Sequence, residues 1–149
     1  MNYYISLGAN LGAREQTIRE ALRLIEERVG HVSRCSQFYY SEPWGYVSEH
    51  EFCNLCCLVE SDRAPMEVLH LTRQIERDMG RTHKSTTTPH GSPVYSDRSI
   101  DIDLIRVFEN GKELFLQTPE LTIPHPLWRE REFVTQPLSQ VMDQTCPCK

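Results

Sequence analysis

Apolar residues form short runs or alternate with polar residues in several parts of the chain. Residues 3–7, 32–40 and 51–60 show this pattern, and so does a segment around residues 100–104. Short apolar runs bounded by glycine, proline, asparagine or serine are typical of strands in a sheet. Four strands are therefore predicted.

Two further segments have the period of an amphipathic helix. Apolar residues recur every three or four positions from Arg14 to Arg28, and again between Pro65 and Gly80. Proline suits the first helical turn and glycine the end of a helix, so Pro65 and Gly80 mark the bounds of the second helix. This spacing places the apolar side chains on one helix face. The expected core-facing residues are Ile18, Leu22, Ile25 and Val29 in the first helix, and Val68, Thr72, Ile75 and Met79 in the second.

The predicted element order is β-α-β-β-α-β, followed by a C-terminal extension. This order indicates an α+β fold of the ferredoxin-like type, an antiparallel sheet with helices packed on it. The extension is expected to hold residues 121–126 and a short helical piece at residues 128–133. Because no linker or repeat divides the chain, residues 1–149 are predicted to form a single domain.

Charge and the N-terminal segment exclude some classes of protein. The formal net charge is −5, whereas a protein that binds nucleic acid needs a basic surface. Residues 1–7 have no basic leader and are followed by a glycine rather than a long apolar run. A cytoplasmic protein without a signal peptide or membrane span is therefore expected.

The cysteines are not spaced like a disulfide framework. Cys53, Cys56 and Cys57 crowd one apolar segment, which is typical of small core residues in a reducing compartment. A zinc site made of Cys53, Cys56, Cys146, Cys148 and a histidine is an alternative. No Cys-x-x-Cys pair recurs at the spacing of a zinc finger, which counts against it.

The segment Asp97–Asp103 carries the strongest chemical signal. Side chains alternate faces along a strand, so Asp101 and Asp103 share one face while Ile102 points to the other. Their backbone positions are roughly 6.6 Å apart, and their carboxylates can converge on one or two cations. Mg²⁺ is typically held by one or two carboxylates together with substrate phosphates. A magnesium site is predicted, with a solvated acidic strand face as the alternative.

Arginines near this segment suit phosphate chemistry. Arg81 and Arg98 bracket the polar loop of residues 82–96, and guanidinium groups bind phosphate oxygens in a bidentate manner. His125, between two prolines, and Arg131 are further candidate phosphate donors; surface arginines and a turn histidine are the alternatives. Because the chain has no phosphate-binding glycine loop, Mg²⁺ and side chains would have to hold the phosphates.

A flat ligand could bind on another strand. Phe52 and Asn54 have the same strand parity, and Trp44 and Phe133 are expected nearby. Aromatic rings above and below, with an amide at the edge, would form a slot for a heterocycle. Ordinary core packing is the alternative, but a buried amide without partners is unfavourable.

Taken together and in order, these motifs resemble the 6-hydroxymethyl-7,8-dihydropterin pyrophosphokinase family. The resemblance covers almost the whole chain and implies a ferredoxin-like enzyme of folate biosynthesis. It implies transfer of diphosphate from ATP to the pterin hydroxymethyl group, with release of AMP. The matching segments are Gly8–Gly12, Ser41–Gly45, Phe52–Asn54, Ile75–Glu76, Gly80–Arg81, Asp97–Asp103, Ile123–Pro126 and Arg131–Phe133.

The resemblance also implies roles for individual residues. Asp101 and Asp103 match the ligands of two Mg²⁺ ions, and Arg81 and Arg98 match the catalytic arginines. Four residues match positions that contact ATP, namely Glu76, Thr122, His125 and Arg131. Six match positions that bind the pterin, namely Pro43, Trp44, Gly45, Phe52, Asn54 and Phe133.

The chain departs from the family pattern in three places. Tyr95 is the only aromatic residue of the catalytic loop, where the best-known bacterial members have a tryptophan, and the loop is longer. Glu120 replaces an arginine that often precedes the Leu-Thr pair. Gln74 lies one position away from the glutamine expected on the second helix.

Two other functions share some of these features. An RNA-binding module would need a basic sheet surface, and the acidic charge counts against it. Another Mg²⁺-dependent phosphotransferase would share the aspartates and arginines but would not need Phe52, Asn54 and Phe133. The expected partners are the pterin and ATP alone, bound by a monomer, with no nucleic acid and no membrane.

Overall fold

The structure is a computed structural model that describes residues 1–10, 12–41, 51–80 and 100–142. Its elements in chain order are β1 (Asn2–Ala9), α1 (Arg14–Arg28), β2 (His31–Cys35), β3 (Tyr39–Ser41), β4 (Phe52–Glu60), α2 (Pro65–Gly80), β5 (Asp101–Glu109), β6 (Lys112–Glu113), β7 (Leu116–Gln117), β8 (Thr122–Ile123), a 3-10 turn (Trp128–Glu130) and α3 (Glu132–Met142).

The main sheet is antiparallel and has the strand order β2-β4-β1-β5-β6, with β3 also paired to β4. A second, two-stranded sheet joins β7 to β8. The α+β class is confirmed. Strand β1 lies in the centre and pairs along its length with both β4 and β5. Side chains of these three strands therefore form the middle of both sheet faces.

A large core lies on one face of the sheet. It joins Tyr3, Ile5 and Leu7 of β1 to buried residues of α1 and α2. The predicted bounds of both helices are confirmed. Most of the expected core-facing residues are buried, but Leu22 and Met79 are only partly buried. No helix in the described ranges is long and apolar enough to cross a membrane.

A smaller core lies on the opposite face, under α3. Tyr4, Cys56, Leu58 and Ile105 from the sheet pack there against the apolar side of that helix. The contributing residues of α3 are Val134, Leu138 and Val141. The C-terminal extension therefore covers part of the second face, and the remainder carries polar residues.

The helical piece expected near residues 128–133 is present but is divided in two and extends further than predicted. A 3-10 turn ends at Glu130, and the separate helix α3 extends to Met142. Pro137 lies inside α3, where a proline removes one backbone hydrogen bond. Burial of the apolar side of α3 offsets this loss. Local sequence preference does not predict such burial, because it depends on contacts with distant parts of the chain.

Two strand predictions also need correction. The strand predicted at residues 32–40 is two strands, β2 and β3, separated by residues 36–38. Ser36 interrupts the ladder because its hydroxyl accepts a hydrogen bond from the Cys56 backbone N–H at 3.0 Å. The first strand, predicted at residues 3–7, continues through Gly8 and Ala9.

The β5–β6 hairpin is fixed by its turn and by an arginine. Asn110 and Gly111 have φ values of 53° and 81°, as a two-residue turn of type I′ requires. The Arg106 guanidinium donates two hydrogen bonds of 2.8 Å to the Glu113 carboxylate. It also lies 5.0 Å from the ring centroid of Trp128, which joins the hairpin to the C-terminal extension.

Gly30 offers a test of how α1 packs against the end of β4. A Cβ atom at this position would overlap the Glu60 carbonyl oxygen and lie 2.7 Å from the Ser61 Cβ. Because the backbone of β4 cannot move aside freely, we expect Gly30→Ala to lower the free energy of unfolding in urea by about 1–3 kcal/mol.

Gly80→Ala is the matched control, because among the described residues no atom outside the adjoining backbone of α2 lies within 4 Å of a Cβ built there. Its urea midpoint should equal or slightly exceed that of the original protein, since alanine favours a helix over glycine. Equal midpoints for the two variants would contradict the packing argument.

Candidate functional site

The two aspartates of β5 project from the sheet face that the large core does not occupy. Ile100, Ile102 and Leu104 are buried in that core, whereas Asp101 and Asp103 are half-buried on the opposite face. The predicted alternation is therefore confirmed. Both aspartates line a cavity of about 410 Å³.

Three parts of the chain form the walls of this cavity. Strand β5 provides the two aspartates, α2 provides Glu76, and the segment around β8 provides Thr122 and His125. These three residues were predicted to contact ATP, and the fold brings them into one cavity with Asp101 and Asp103. The carboxylates give this wall a strongly negative character, which suits a divalent cation.

Glu76 links α2 to the strand that carries the aspartates. Its Oε2 atom accepts a hydrogen bond of 2.7 Å from the Ile102 backbone N–H. Ile102 lies between Asp101 and Asp103, so this bond fixes the strand at the point where both carboxylates leave it. The family resemblance implied that Glu76 contacts ATP. In the structure, one of its carboxylate oxygens also holds strand β5 in place.

His125 is held in one orientation by its neighbours. Its backbone N–H donates to the Ile105 carbonyl at 2.8 Å, and its Nδ1 atom accepts from the Leu127 N–H at 3.2 Å. A neutral ring in this arrangement carries its proton on Nε2. Burial, reinforced by the positive charge of Arg131 and opposed by Asp101, lowers the pKa of His125 below its usual value. His125 is thus a neutral donor at pH 7.

Asn54 and Phe52 project over Gly8 on the same face of the sheet. A Cβ atom at Gly8 would lie 3.1 Å from the Asn54 Oδ1 atom and 3.5 Å from the Phe52 ring. The Asn54 Nδ2 group donates to the Tyr39 carbonyl at 3.0 Å and to the Ser41 hydroxyl at 2.8 Å. The buried amide is therefore satisfied, and its shared face with Phe52 is confirmed.

Phe133 lies in the first turn of α3 and packs against the smaller core, on this same face. The Arg131 guanidinium lies 5.8 Å from the Phe133 ring centroid. Helix α3 packs against β3, which carries the hydrogen-bond partners of Asn54. Arg131 and Phe133 thus lie between the acidic cavity and the strand of Asn54.

The strand register places the two candidate sites side by side. Gly8 lies opposite Asn54 on β4 and opposite Asp101 on β5. Neighbouring strands are about 4.8 Å apart, so the backbones of Asn54 and Asp101 are separated by ~10 Å. Gly8 leaves the surface between them open. The predicted strand ended at residue 7, which hid this role, although a glycine inside a strand often marks a close approach.

Other residues of the cavity wall were not predicted as site residues. Leu69 and Arg73 line the cavity from α2, and Glu120 lines it from the turn before β8. Arg73 lies one helical turn before Glu76, and that spacing was the available signal. Several predicted residues lie outside the described residues, namely Pro43, Trp44, Gly45, Arg81, Tyr95 and Arg98.

The cysteines of β4 are core residues, as predicted. Cys53, Cys56 and Cys57 are free thiols with no exposed surface. Burial raises the pKa of Cys56 to about 12, so this thiol stays protonated. Within the described part of the chain, no cluster of three or more histidine, cysteine or acidic residues is arranged for metal binding. The zinc alternative also needs Cys146 and Cys148, which lie outside that part.

Comparison with known proteins agrees with this geometry. The model of the 7,8-dihydro-6-hydroxymethylpterin-pyrophosphokinase family matches residues 4–143. A 2-amino-4-hydroxy-6-hydroxymethyldihydropteridine pyrophosphokinase from Porphyromonas gingivalis is 44% identical over 138 residues, which cover 93% of this chain and 88% of the relative. Proteins of the same name from Bacillus subtilis and Aquifex aeolicus are 33% and 28% identical, over 95% and 93% of this chain and 78% of each relative. The chain therefore belongs to the 7,8-dihydro-6-hydroxymethylpterin-pyrophosphokinase family.

Proposed function

We propose that this protein transfers diphosphate from ATP to 6-hydroxymethyl-7,8-dihydropterin, giving the pterin diphosphate and AMP, in folate biosynthesis. The observation that carries this proposal is the row formed by Asn54, Gly8 and Asp101 across three strands. One surface thus carries both Asn54, which suits the edge of a heterocycle, and an acidic cavity, which suits a metal–phosphate complex. Family membership supports the same reaction.

The pterin would bind over Gly8. The Asn54 Nδ2 hydrogens already bond to β3, so its Oδ1 atom is the one that would accept a hydrogen bond from the ring. Phe52 and Phe133 would stack on the two ring faces, since offset aromatic stacking is favourable. We further assign Pro43, Trp44 and Gly45 to the pterin site on the family resemblance.

Asp101 and Asp103 would hold two Mg²⁺ ions. Their hard oxygen donors fit this metal, and Mg²⁺ needs few protein ligands because substrate phosphates and water complete its coordination. When bound, the ions would neutralise charge on the triphosphate oxygens. The protein's own contribution is to fix the two carboxylates, which the Glu76 hydrogen bond to Ile102 achieves.

The remaining polar residues would bind the triphosphate. His125 would donate its Nε2–H to a phosphate oxygen, Thr122 would contribute from β8, and Arg131 would add a guanidinium beside the pterin slot. Glu76 would also contact ATP, as the family resemblance implies. Arg81 and Arg98 are proposed, on the family resemblance, to stabilise charge as AMP leaves.

Catalysis would depend on positioning. The pterin hydroxyl oxygen attacks the β-phosphorus of ATP, a new O–P bond forms, and the bond from the β-phosphorus to the oxygen of AMP breaks. The hydroxyl proton passes to solvent, and the electron pair of the broken bond stays on AMP. Holding the two reactants across Gly8 reduces the entropic cost of this encounter.

We also infer the finer description of the fold and its setting. The order β5-β1-β4-β2 supports a ferredoxin-like core within a single domain of residues 1–149. Free, protonated thiols in β4 support a reducing, cytoplasmic compartment. The net charge of −5 supports a protein that does not bind nucleic acid. A monomer is proposed, since each site is built from one chain.

Identification of the nucleotide product tests the reaction. We expect the purified protein, incubated with ATP, Mg²⁺ and 6-hydroxymethyl-7,8-dihydropterin, to form AMP and pterin diphosphate in equal amounts. AMP should not form when the pterin is omitted. Formation of ADP would indicate an ordinary kinase and would contradict diphosphate transfer.

Asp103→Asn tests the metal site. The variant keeps the shape of the side chain but loses its charge, so turnover should fall on the order of 10² and Mg²⁺-dependent binding of a non-hydrolysable ATP analogue should weaken. Initial rates and calorimetric titrations with and without Mg²⁺ measure both effects. Glu109→Gln, at the exposed end of the same strand, is the matched control and should behave as the original protein. Near-normal turnover of Asp103→Asn would refute the metal assignment.

Gly8→Ala tests the surface between the sites. The added methyl group would press on Asn54 Oδ1 at 3.1 Å and narrow the slot beside Phe52. We expect the KM for the pterin to rise about tenfold, because a displaced hydrogen-bond partner of a bound ligand costs on the order of 1 kcal/mol or more. The KM for ATP serves as the internal control and should stay constant. An equal rise in both KM values would place the pterin elsewhere.

A further inference from the structure

Two free cysteines face each other across β2 and β4. Cys35 is the last residue of β2 and lies directly opposite Cys57 of β4 in the antiparallel register. Directly opposite residues on neighbouring strands project from the same sheet face. Because Cys57 belongs to the large core on that face, the Cys35 side chain lies at the rim of this core.

The hydrogen bonds beside this pair identify its geometry. The Ser36 backbone N–H donates to the Cys56 carbonyl at 2.8 Å, and the Ser36 hydroxyl accepts from the Cys56 backbone N–H at 3.0 Å. Ser36 and Cys56 are thus a hydrogen-bonded pair of the ladder. Because the two kinds of pair alternate along an antiparallel ladder, Cys35 and Cys57 form a non-hydrogen-bonded pair. In such pairs the Cα atoms are ~4.5 Å apart and the side chains lie closer together than in the other kind.

This separation lies within the range that a disulfide requires. Cysteines joined by a disulfide have Cα atoms about 4.4–6.8 Å apart, so the pair is at the short end of the range. A bond at this separation forms without a change of strand register, but it stores strain. Strained disulfides are reduced more easily than relaxed ones, so a bond between Cys35 and Cys57 is expected to be reversible.

The other cysteines described on β4 are not placed in this way. The register pairs Cys53 with an alanine on β1 and a tyrosine on β3. Cys56 projects from the opposite face and is buried in the smaller core. Of the cysteines in the described ranges, Cys35 and Cys57 are therefore the two that the register brings together.

The two thiols differ in their access to solvent. Cys35 is exposed at the end of an edge strand, whereas Cys57 is fully buried. A dissolved oxidant can thus reach Cys35, while Cys57 is shielded from it and lies beside the Cys35 side chain. Loss of hydration raises the pKa of Cys35, and burial raises the pKa of Cys57 well above its usual value. Both thiols are therefore protonated at neutral pH, which makes their oxidation slow.

We propose that Cys35 and Cys57 form a reversible cross-strand disulfide on exposure to a low-molecular-weight disulfide such as glutathione disulfide. The Cys35 thiolate attacks one sulfur of the oxidant, whose S–S bond breaks, and one glutathione leaves. The Cys57 sulfur then attacks the Cys35 sulfur and displaces the second glutathione, which takes up the Cys57 proton. The two cysteines lose two electrons and two protons, and the oxidant is reduced to two molecules of glutathione.

The new bond restrains a segment that includes other candidate residues. It closes the chain between residues 35 and 57, a stretch that contains β3, Phe52 and Asn54. Closing a loop of about twenty residues stabilises a fold mainly by restricting the unfolded chain. The oxidised protein should therefore unfold at a higher urea concentration than the reduced protein. No step of the oxidation involves the pterin or ATP, so it can be tested whether or not the proposed reaction occurs.

Incubation of the purified protein with glutathione disulfide, followed over hours by mass spectrometry, tests the proposal. We expect the intact mass to fall by that of two hydrogen atoms and an excess of reduced glutathione to restore it. Alkylation and peptide mapping should locate the bond between Cys35 and the peptide that contains Cys57. Cys35→Ser and Cys57→Ala should each abolish it. Because Cys35 is exposed, Cys35→Ser decides the question even if Cys57→Ala does not fold.

Cys53→Ala and Cys56→Ala are the matched controls, because each removes a buried thiol of the same strand and leaves the cross-strand pair intact. Both should form the same bond as the original protein. A bond to any other cysteine, or a stable glutathione adduct on Cys35 without a bond to Cys57, would overturn the proposal. So would loss of the near-ultraviolet circular dichroism on oxidation, because the bond would then require unfolding. Equal urea midpoints for the oxidised and reduced protein would contradict the restraint.

Discussion

The candidate site that the described residues form depends on the register of β1 between β4 and β5. A shift of one residue in a strand would exchange its two faces. The large core prevents this shift, because Ile5, Leu7 and Ile102 fill one face and could not be replaced there by serine, glycine and aspartate without burying unpaired polar groups. Hydrophobic burial thus fixes the strand register, and it occurs on the face of the sheet opposite to the candidate site.

The second face is divided between packing and polar function. Towards one end, α3 seals Tyr4 and Leu58 in the smaller core. Towards the other, Ser6 marks the transition, because it lies opposite Cys56 on β4 and opposite Asp103 on β5. The same three strands therefore anchor the C-terminal helix and present the acidic residues, so these two regions are mechanically joined without an intervening loop.

Features that depend on local periodicity could be predicted from the sequence. The bounds of α1 and α2 follow from a 3.6-residue pattern with suitable end residues, and the common face of Asp101 and Asp103 follows from alternation in a strand. Features set by distant contacts could not. Burial of the apolar side of α3 offsets the backbone hydrogen bond lost at Pro137, and the hydroxyl of Ser36 ends β2 early. The Arg73 side chain bonds to the turn before β8, which is distant in the sequence. The Asn110-Gly111 turn was a local signal that the sequence analysis missed.

The two hydrogen bonds that the Asn54 amide nitrogen donates to β3 have a consequence for which chemical form of a ligand can bind. An asparagine side chain that is free to rotate by 180° can serve equally as donor or acceptor. Here the Tyr39 carbonyl and the Ser41 hydroxyl fix its polarity, so only the oxygen faces the slot. In the proposed slot, a heterocycle with an N–H at that edge would be accepted, and a tautomer with a lone pair there would be repelled. Residues of β3 would thus make the proposed site selective for one tautomer without themselves contacting the ligand.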